Sequence, residues 1–521
     1  MKTQSKPPNL FIYLLILLTL GAFLLRLLAL GSKSLVPDEG SSYFFSQLPL
    51  QRLIWQLCDP HPPGYYLMLR AVTTLGTSEW WLRFPSALLG ALAVPLTWTL
   101  AREVIPASLD SRWREWAAIA TAALIAVAPL HVWYSQEARP YALLTTLALG
   151  MVLAGLRWWK HPRLVSAFIY LILGWSALFV EYGALVIWGG LNLILASGWP
   201  WREQEKNQPH NRGLRWALLQ AALLLPFVGW WLISPQRQVL RRFSYQADFL
   251  AVRAQALGVS LTPELARPLL SFTLLAAICL AFVLAFILAR YPRSRDGLRS
   301  LPAGVILLVL FAGLAILGVL PALFTIKRHL VILLPFAAVA AAWVIVRDRP
   351  SFSQHRNRWG ILATGLFAIL LTLSLMTILT APKPPWNQVA AALARETRPD
   401  DSLWVDELDA PVFNYYWQQA LSWHPLFANN LEALNQIPAG QRAWVVGTVS
   451  PYRDLNATLP AEFAASRKIA AELQWPGIAG RAYDHTTTRQ PVSEPTQAHR
   501  WGLSLPSPID TSCTIEGEQA P

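Results

Sequence analysis

The sequence predicts an α-helical polytopic membrane protein with about eleven spans, followed by a small α/β domain, and three observations lead there. Hydrophobic residues make up 54% of the 521 and charged residues only 14%, more apolar than a soluble globular chain usually is. Apolar runs of roughly 17 to 25 residues, the length a helix needs to cross the hydrocarbon layer, recur between short charged or Pro-rich breaks. Past Pro382 hydropathy falls and the pattern becomes that of a small soluble unit.

The expected spans are 10–30, 84–101, 116–133, 141–156, 165–180, 184–198, 214–232, 269–289, 301–320, 330–346 and 361–379. The first follows Lys2 and Lys6, is longer than the apolar stretch of a signal peptide and has no small-residue cleavage site, so it is read as a retained helix. Residues 43–57 mix aromatic and polar side chains too often for a span and read as an amphipathic helix in the interface. Beyond the spans, 386–395 has helical spacing, 402–406 and 442–446 read as strands, and the Pro-, Ser- and Thr-rich residues 491–521 are expected to be disordered. The expected organisation is a membrane domain over 1–381, an α/β domain over 382–490 and a tail over 491–521. The three cysteines, Cys58, Cys279 and Cys513, are far apart and suggest neither a disulfide framework nor a zinc site.

Basic residues concentrate in alternate loops, 102–114, 157–163, 202–215, 290–299 and 347–358, which the positive-inside rule places in the cytoplasm with the amino terminus. The net charge of +13 is then topological and calls for no nucleic acid. Residues 31–83, 134–139, 181–182, 234–267 and 324–328, and everything after about 382, fall outside the cell, with the chain in the plasma (inner) membrane.

The notable polar residues collect on that outer side. Asp38 and Glu39 follow the first span, and an acid there could take a proton from an attacking hydroxyl; equally, Pro37-Asp38-Glu39 could simply start a helix. Asp59-Pro-His61-Pro-Pro-Gly-Tyr65-Tyr66 supplies a carboxylate, an imidazole and two phenols in a stiff turn, where His61 could bind phosphate, a cation or a sugar hydroxyl, or serve only the turn. Glu137 and Arg139 bridge two spans and either neutralise each other, cap the helices on either side or line an outward-facing pocket. Lys327 and Arg328 sit on the side where cations are disfavoured, which suits an anion site better than contact with lipid headgroups. Arg26 and Glu181 add ionisable groups at the same level, as substrate contacts or as buried structural pairs.

Taken in order, Asp38-Glu39, His61-Pro-Pro-Gly-Tyr-Tyr, Leu82-Arg-Phe-Pro-Ser-Ala87 and Trp133-Tyr-Ser-Gln-Glu-Ala-Arg139 resemble the bacterial branch of glycosyltransferase family 39. That family lies in the C-type glycosyltransferase superfamily, with protein O-mannosyltransferases and lipid A aminoarabinose transferases. The resemblance covers roughly the first 350 residues and implies the C-type fold and an inverting transfer of a sugar from a polyprenyl-phosphate donor to a protein, lipid or glycan acceptor. It also implies Asp38 as general base, Glu39 as the second acid of the pair, Arg139 on the donor phosphate with Glu137 beside it, and Lys327 and Arg328 as the basic residues late in the membrane domain. His61 and Tyr65 are then substrate-binding candidates. One departure stands out: where the aminoarabinose branch has Glu-Lys-Pro-Pro, this chain has Asp59-Pro-His61-Pro-Pro, without the lysine that would reach phosphate.

No metal cage is evident, and a divalent cation shared by Asp38, Glu39, Glu137 and His61 is left open, to be decided by whether the loops converge. The rival from another class is a lipid or sugar transporter or flippase, which would more often show internal repeats and broken helices with midplane ions. A scaffold for envelope assembly is a third reading, disfavoured by acids in two separate outer loops.

Overall fold

The computed structural model describes residues 9–105, 111–196, 211–235, 327–347, 356–426, 430–449 and 459–485. The expected spans over 269–289 and 301–320 and the tail lie outside them. The chain divides into two compact units: 1–30, 59–68 and 83–381 form one, and 31–58, 69–82 and 382–521 the other.

The first unit is helical. Its helices include α1 (Asn9–Leu27), α5 (Glu79–Val104), α6 (Ser111–Val127), α7 (Pro129–Tyr134), α8 (Tyr141–Lys160), α9 (Leu164–Val180), α10 (Ala184–Ala196), α11 (Arg212–Ile233), α12 (Lys327–Arg347) and α13 (Arg356–Thr380). Helices α1, α5, α8 and α11 are long and apolar enough to cross a membrane, and parts of α9, α12 and α13 are shorter apolar helices. The chain is a multi-pass membrane protein. Helix α8 is its hub, buried along most of its length and packed by α9, α10 and α12, whereas α1 turns most of its apolar surface outward.

The third expected span, 116–133, is not one helix. Ala128, which precedes a proline, takes an extended conformation (φ −64°, ψ 118°), ending α6 and starting α7 at Pro129. Pro129 has no N–H, so the carbonyl of Ile125 four residues back loses its helical donor. Arg26 of α1 replaces it, donating to Ile125 O at 3.2 Å and Ala126 O at 3.0 Å, while Ser374 of α13 donates to Val127 O at 2.7 Å. The device recurs in α11, where Pro226 frees the carbonyl of Ala222. The Trp175 indole of α9 donates there at 3.3 Å and to Leu223 O at 3.0 Å. Breaks in spanning helices are tolerated where neighbouring helices satisfy the freed backbone in this way.

The second unit joins the first outer segment to the carboxy-terminal domain. Helix α2 (Pro37–Gln47) has Pro at its first turn, followed by Asp38 and Glu39. The expected interfacial helix over 43–57 is split: Leu48, before Pro49, is extended, and α3 (Leu50–Trp55) starts anew. Helix α14 (Trp386–Glu396) and the strands β1 (Ser402–Asp406) and β3 (Ala443–Thr448) match the expected helix and strands closely. Three further strands complete a five-stranded sheet: β2 (Trp423–Leu426), β4 (Arg467–Trp475) and β5 (Ile478–His485), in the order β2-β1-β3-β5-β4. β1 runs parallel to β2 and β3, whereas β5 is antiparallel to β3 and β4. The turn between β4 and β5 is Pro476-Gly477, with Gly477 at φ 78°, where a side chain would be strained.

A short helix, α15 (Ala410–Tyr416), lies between β1 and β2 and packs on α2. Gly40 makes the approach possible, since a Cβ there would sit 2.5 Å from Val412 Cα. Tyr43 meets Tyr415 edge to face with ring centres 5.1 Å apart. Cys58 is disulfide-bonded, which the spacing of the three cysteines did not suggest.

Candidate functional site

Within the first unit, three segments distant in sequence bring ionisable side chains together. The turn 59–63 leads into α4 (Gly64–Thr73), Arg139 lies just before α8, and Glu181 caps the end of α9. Gly64 lets the turn rest on the end of α9, because a Cβ there would approach Phe179 O to 2.5 Å and Val180 Cγ2 to 3.1 Å.

Asp59 is the hub of that turn. Its Oδ1 accepts from the His61 backbone N–H at 2.9 Å, from His61 Nδ1 at 2.8 Å and from the Tyr66 hydroxyl at 2.6 Å. The other ring nitrogen, Nε2, lies 3.2 Å from Glu181 Oε2 and 3.4 Å from Arg139 Nη2. Asp59, Glu181 and Arg139 are all buried, and the His61 side chain is nearly so. Among the described residues Glu181 Oε2 has no hydrogen-bond partner despite its nearness to the ring.

The electrostatics follow from this geometry. Like charges about 3.4 Å apart repel by roughly 5 kcal/mol at an effective dielectric near 20, so a protonated ring beside the guanidinium needs counterions. Asp59 and Glu181 supply them at shorter range. Burial alone would lower the pKa of His61 and Arg139 would lower it further, but Glu181 and Asp59 outweigh both and raise it. Burial pushes the Asp59 carboxyl up, yet His61, Arg139 and the Tyr66 hydroxyl bring it below its ordinary value. Burial, together with Asp59, holds the Tyr66 phenol well above its usual range, so it stays a donor.

The structure thus brings His61 and Arg139 together, with Asp59, Glu181 and Tyr66 as partners. Glu137 is buried in the turn before Arg139, its carbonyl accepting from the Arg139 N–H at 2.8 Å. Tyr65 is buried but faces Ser86 Oγ at 3.4 Å. Lys327 and Arg328 occupy the start of α12 rather than a loop before it, and their side chains lie outside the described residues.

Asp38 and Glu39 belong to the second unit, and successive helix positions give them opposite surroundings. Asp38 is exposed, whereas Glu39 is fully buried, its Oε2 accepting from the Val36 N–H and from Lys383 Nζ, each at 3.1 Å. Lys383 carried no signal beyond being a lone cation in a proline-rich linker. Asp59 and Glu181 were visible as ionisable residues but not as the two partners of one imidazole. Among the described residues no group of three or more His, Cys, Asp or Glu side chains is placed to hold a metal ion. Both ring nitrogens of His61 face carboxylates.

Residues 60–230, about a third of the chain, match the family model described as dolichyl-phosphate-mannose-protein mannosyltransferase. The sequence has no match among curated proteins. Among solved structures it resembles ArnT from Cupriavidus metallidurans bound to undecaprenyl phosphate, with a TM-score of 0.51 and 15% identity over 90% of this chain and 97% of that one. It also resembles the archaeal oligosaccharyltransferase AglB from Archaeoglobus fulgidus in complex with an inhibitory peptide and a dolichol-phosphate. There the TM-score is 0.51 and the identity 12%, over 92% of this chain and 75% of that one. These likenesses show that the chain has the fold of ArnT and AglB, and the family model matches one segment of it. The stretch that matches the family model contains His61, Tyr65, Glu137, Arg139 and Glu181, while Asp59 lies one residue before it. Asp38, Glu39, Lys327 and Arg328 fall outside that stretch, so what singles them out is their motif and charge.

Proposed function

We propose that this protein transfers a sugar from a polyprenyl-phosphate donor to an acceptor hydroxyl or amine at the outer face of the plasma membrane. The observation that carries this reading is the buried Arg139–His61 pair braced by Asp59 and Glu181, inside the segment that matches the mannosyltransferase model. ArnT was solved with undecaprenyl phosphate and AglB with a dolichol-phosphate, which supports a lipid-linked donor here.

In the proposed reaction the acceptor oxygen or nitrogen attacks the anomeric carbon from the face opposite the phosphate. The bond between that carbon and the phosphate oxygen breaks with inversion, the electron pair leaves on the polyprenyl phosphate, and Asp38 takes the acceptor's proton. The Arg139 guanidinium stabilises the charge gathering on the leaving phosphate, and Lys327 and Arg328 add positive charge to the same phosphate. Glu137 and Tyr65 hold the sugar, and the carboxy-terminal domain lies outside the cell.

The test offers purified, reconstituted protein a panel of polyprenyl-phosphate sugars with candidate acceptors, with and without a chelator, and follows release of the lipid phosphate. Asp38→Asn removes the base at nearly constant size, so release should fall about a hundredfold or more. Full activity in that variant removes Asp38 from the mechanism. A wild-type protein that releases nothing from any donor returns the transporter reading. Sensitivity to the chelator would bring a divalent cation into the site.

A further inference from the structure

The acids at the start of α2 differ in a way that assigns work to the carboxy-terminal domain. An isolated helix of 11 residues is marginal in water, so α2 needs outside support. That support comes from 382–416, in the same unit. The Leu35 N–H donates to the Tyr416 hydroxyl at 2.8 Å, the Asn387 N–H reaches Ser34 Oγ at 3.3 Å, Val412 fills the space over Gly40, and Lys383 holds Glu39.

The Lys383–Glu39 contact is the decisive one. The Glu39 side chain is fully buried and that of Lys383 is 6% exposed, so neither charge has appreciable water and each helps to compensate the other. Glu39 Oε2 also accepts from the Val36 N–H, which ties the ion pair to the first turn of the helix. Consecutive residues on an α-helix point about 100° apart, so fixing Glu39 inward fixes the direction of Asp38. Glu39 is then an anchor, and the exposed acid beside it is the group presented outward.

We propose that the carboxy-terminal domain is a positioning element of the transfer reaction, with Lys383 as the positioning residue that sets Asp38 through its ion pair with Glu39. This rests on the transferase reading above. It gives the domain a function that its own strands and helices do not reveal.

The test compares Lys383→Met, Lys383→Arg, Tyr416→Phe and the uncharged pair Glu39→Gln/Lys383→Met, in the full-length reconstituted protein. Lipid-phosphate release gives kcat and donor KM, and hydrogen exchange over residues 36–47 reports the anchoring of α2 directly. Lys383→Met should lower kcat about a hundredfold, the scale on which a displacement of about 1 Å acts, with donor KM unmoved and exchange over 36–47 accelerated. Lys383→Arg should keep most of the rate. The uncharged pair should recover exchange protection relative to Lys383→Met, because the buried carboxylate charge is removed together with its cation. Should Lys383→Met fail to fold, Tyr416→Phe carries the test, with a smaller loss of kcat and faster exchange over the same residues. Wild-type kcat with unchanged exchange in the folded variants overturns the proposal, as does a loss that appears wholly in donor KM. If the wild-type protein releases nothing from any donor, the transferase reading fails, and unchanged exchange would separately refute the anchoring.

Discussion

Among the described residues the first unit contains two Arg–His pairs largely shielded from water, and they are opposites. Arg26 Nη2 meets His131 Nδ1 at 2.9 Å, and the rest of its guanidinium serves backbone carbonyls: Ala22 O at 2.8 Å and the two left by the break at Pro129. Arginine has only donors, so His131 Nδ1 accepts and is unprotonated. Arg139 meets His61 at 3.4 Å, but that ring also faces two carboxylates, which raise its pKa. The difference teaches how to read a buried charge in a membrane protein. Partners made of freed backbone point to architecture, and partners made of titratable side chains point to chemistry.

The most severe way to break this contrast is Arg26→Leu. It leaves buried carbonyls without donors, each costing about 1–3 kcal/mol, so stability should fall by about 3 kcal/mol or more, as thermal unfolding in detergent would show. Activity per folded molecule should survive. Arg139→Leu should do the reverse, cutting lipid-phosphate release about a hundredfold to a thousandfold, the usual cost of losing a donor to a developing oxyanion, while the protein still inserts and folds. Equal effects of the two variants on folding would erase the distinction.

A pH series sharpens it further. His61 has a raised pKa, so its stabilisation is complete below the ordinary imidazole value of about 6.5 and is lost as pH rises through the raised one. Asp59 is lowered, so its contribution is present above about 3.9 and is lost as pH falls through the lowered value. Stability should therefore decline on the alkaline side in the wild-type protein and be flatter there in His61→Gln, measured as melting temperature against pH. The smallest expected effect is a rescue: Pro129→Ala returns an N–H to Ile125 O and should restore about 1 kcal/mol to Arg26→Leu.

Much of this fold could be read from hydropathy, because spanning helices announce themselves by length. What hydropathy averages over is proline. The third span scored as continuous although Ala128-Pro129 marks its break in plain view. In the second unit β1 and β3 were legible as buried apolar runs. β2 is only four residues long and contains Pro425, and β4 is an edge strand with Ile469 exposed, so neither shows the pattern of a covered strand. The site was half legible. His61 and Arg139 stand out as ionisable residues beside spans, but that Asp59, Arg139 and Glu181 share one imidazole is a fact of packing between segments. Lys383 was hidden because a buried lysine and a solvated one look alike in sequence.

The proline breaks also bear on the order in which the membrane domain is made. Ile125 and Ala126 find their donor on α1, and Ala222 finds its donor on α9, both synthesised earlier. A helix that enters the bilayer with an open carbonyl meets its partner already there. Val127 does not, since Ser374 follows 247 residues later. Until α13 arrives, the nascent chain lacks the donor that Ser374 brings to the junction of α6 and α7.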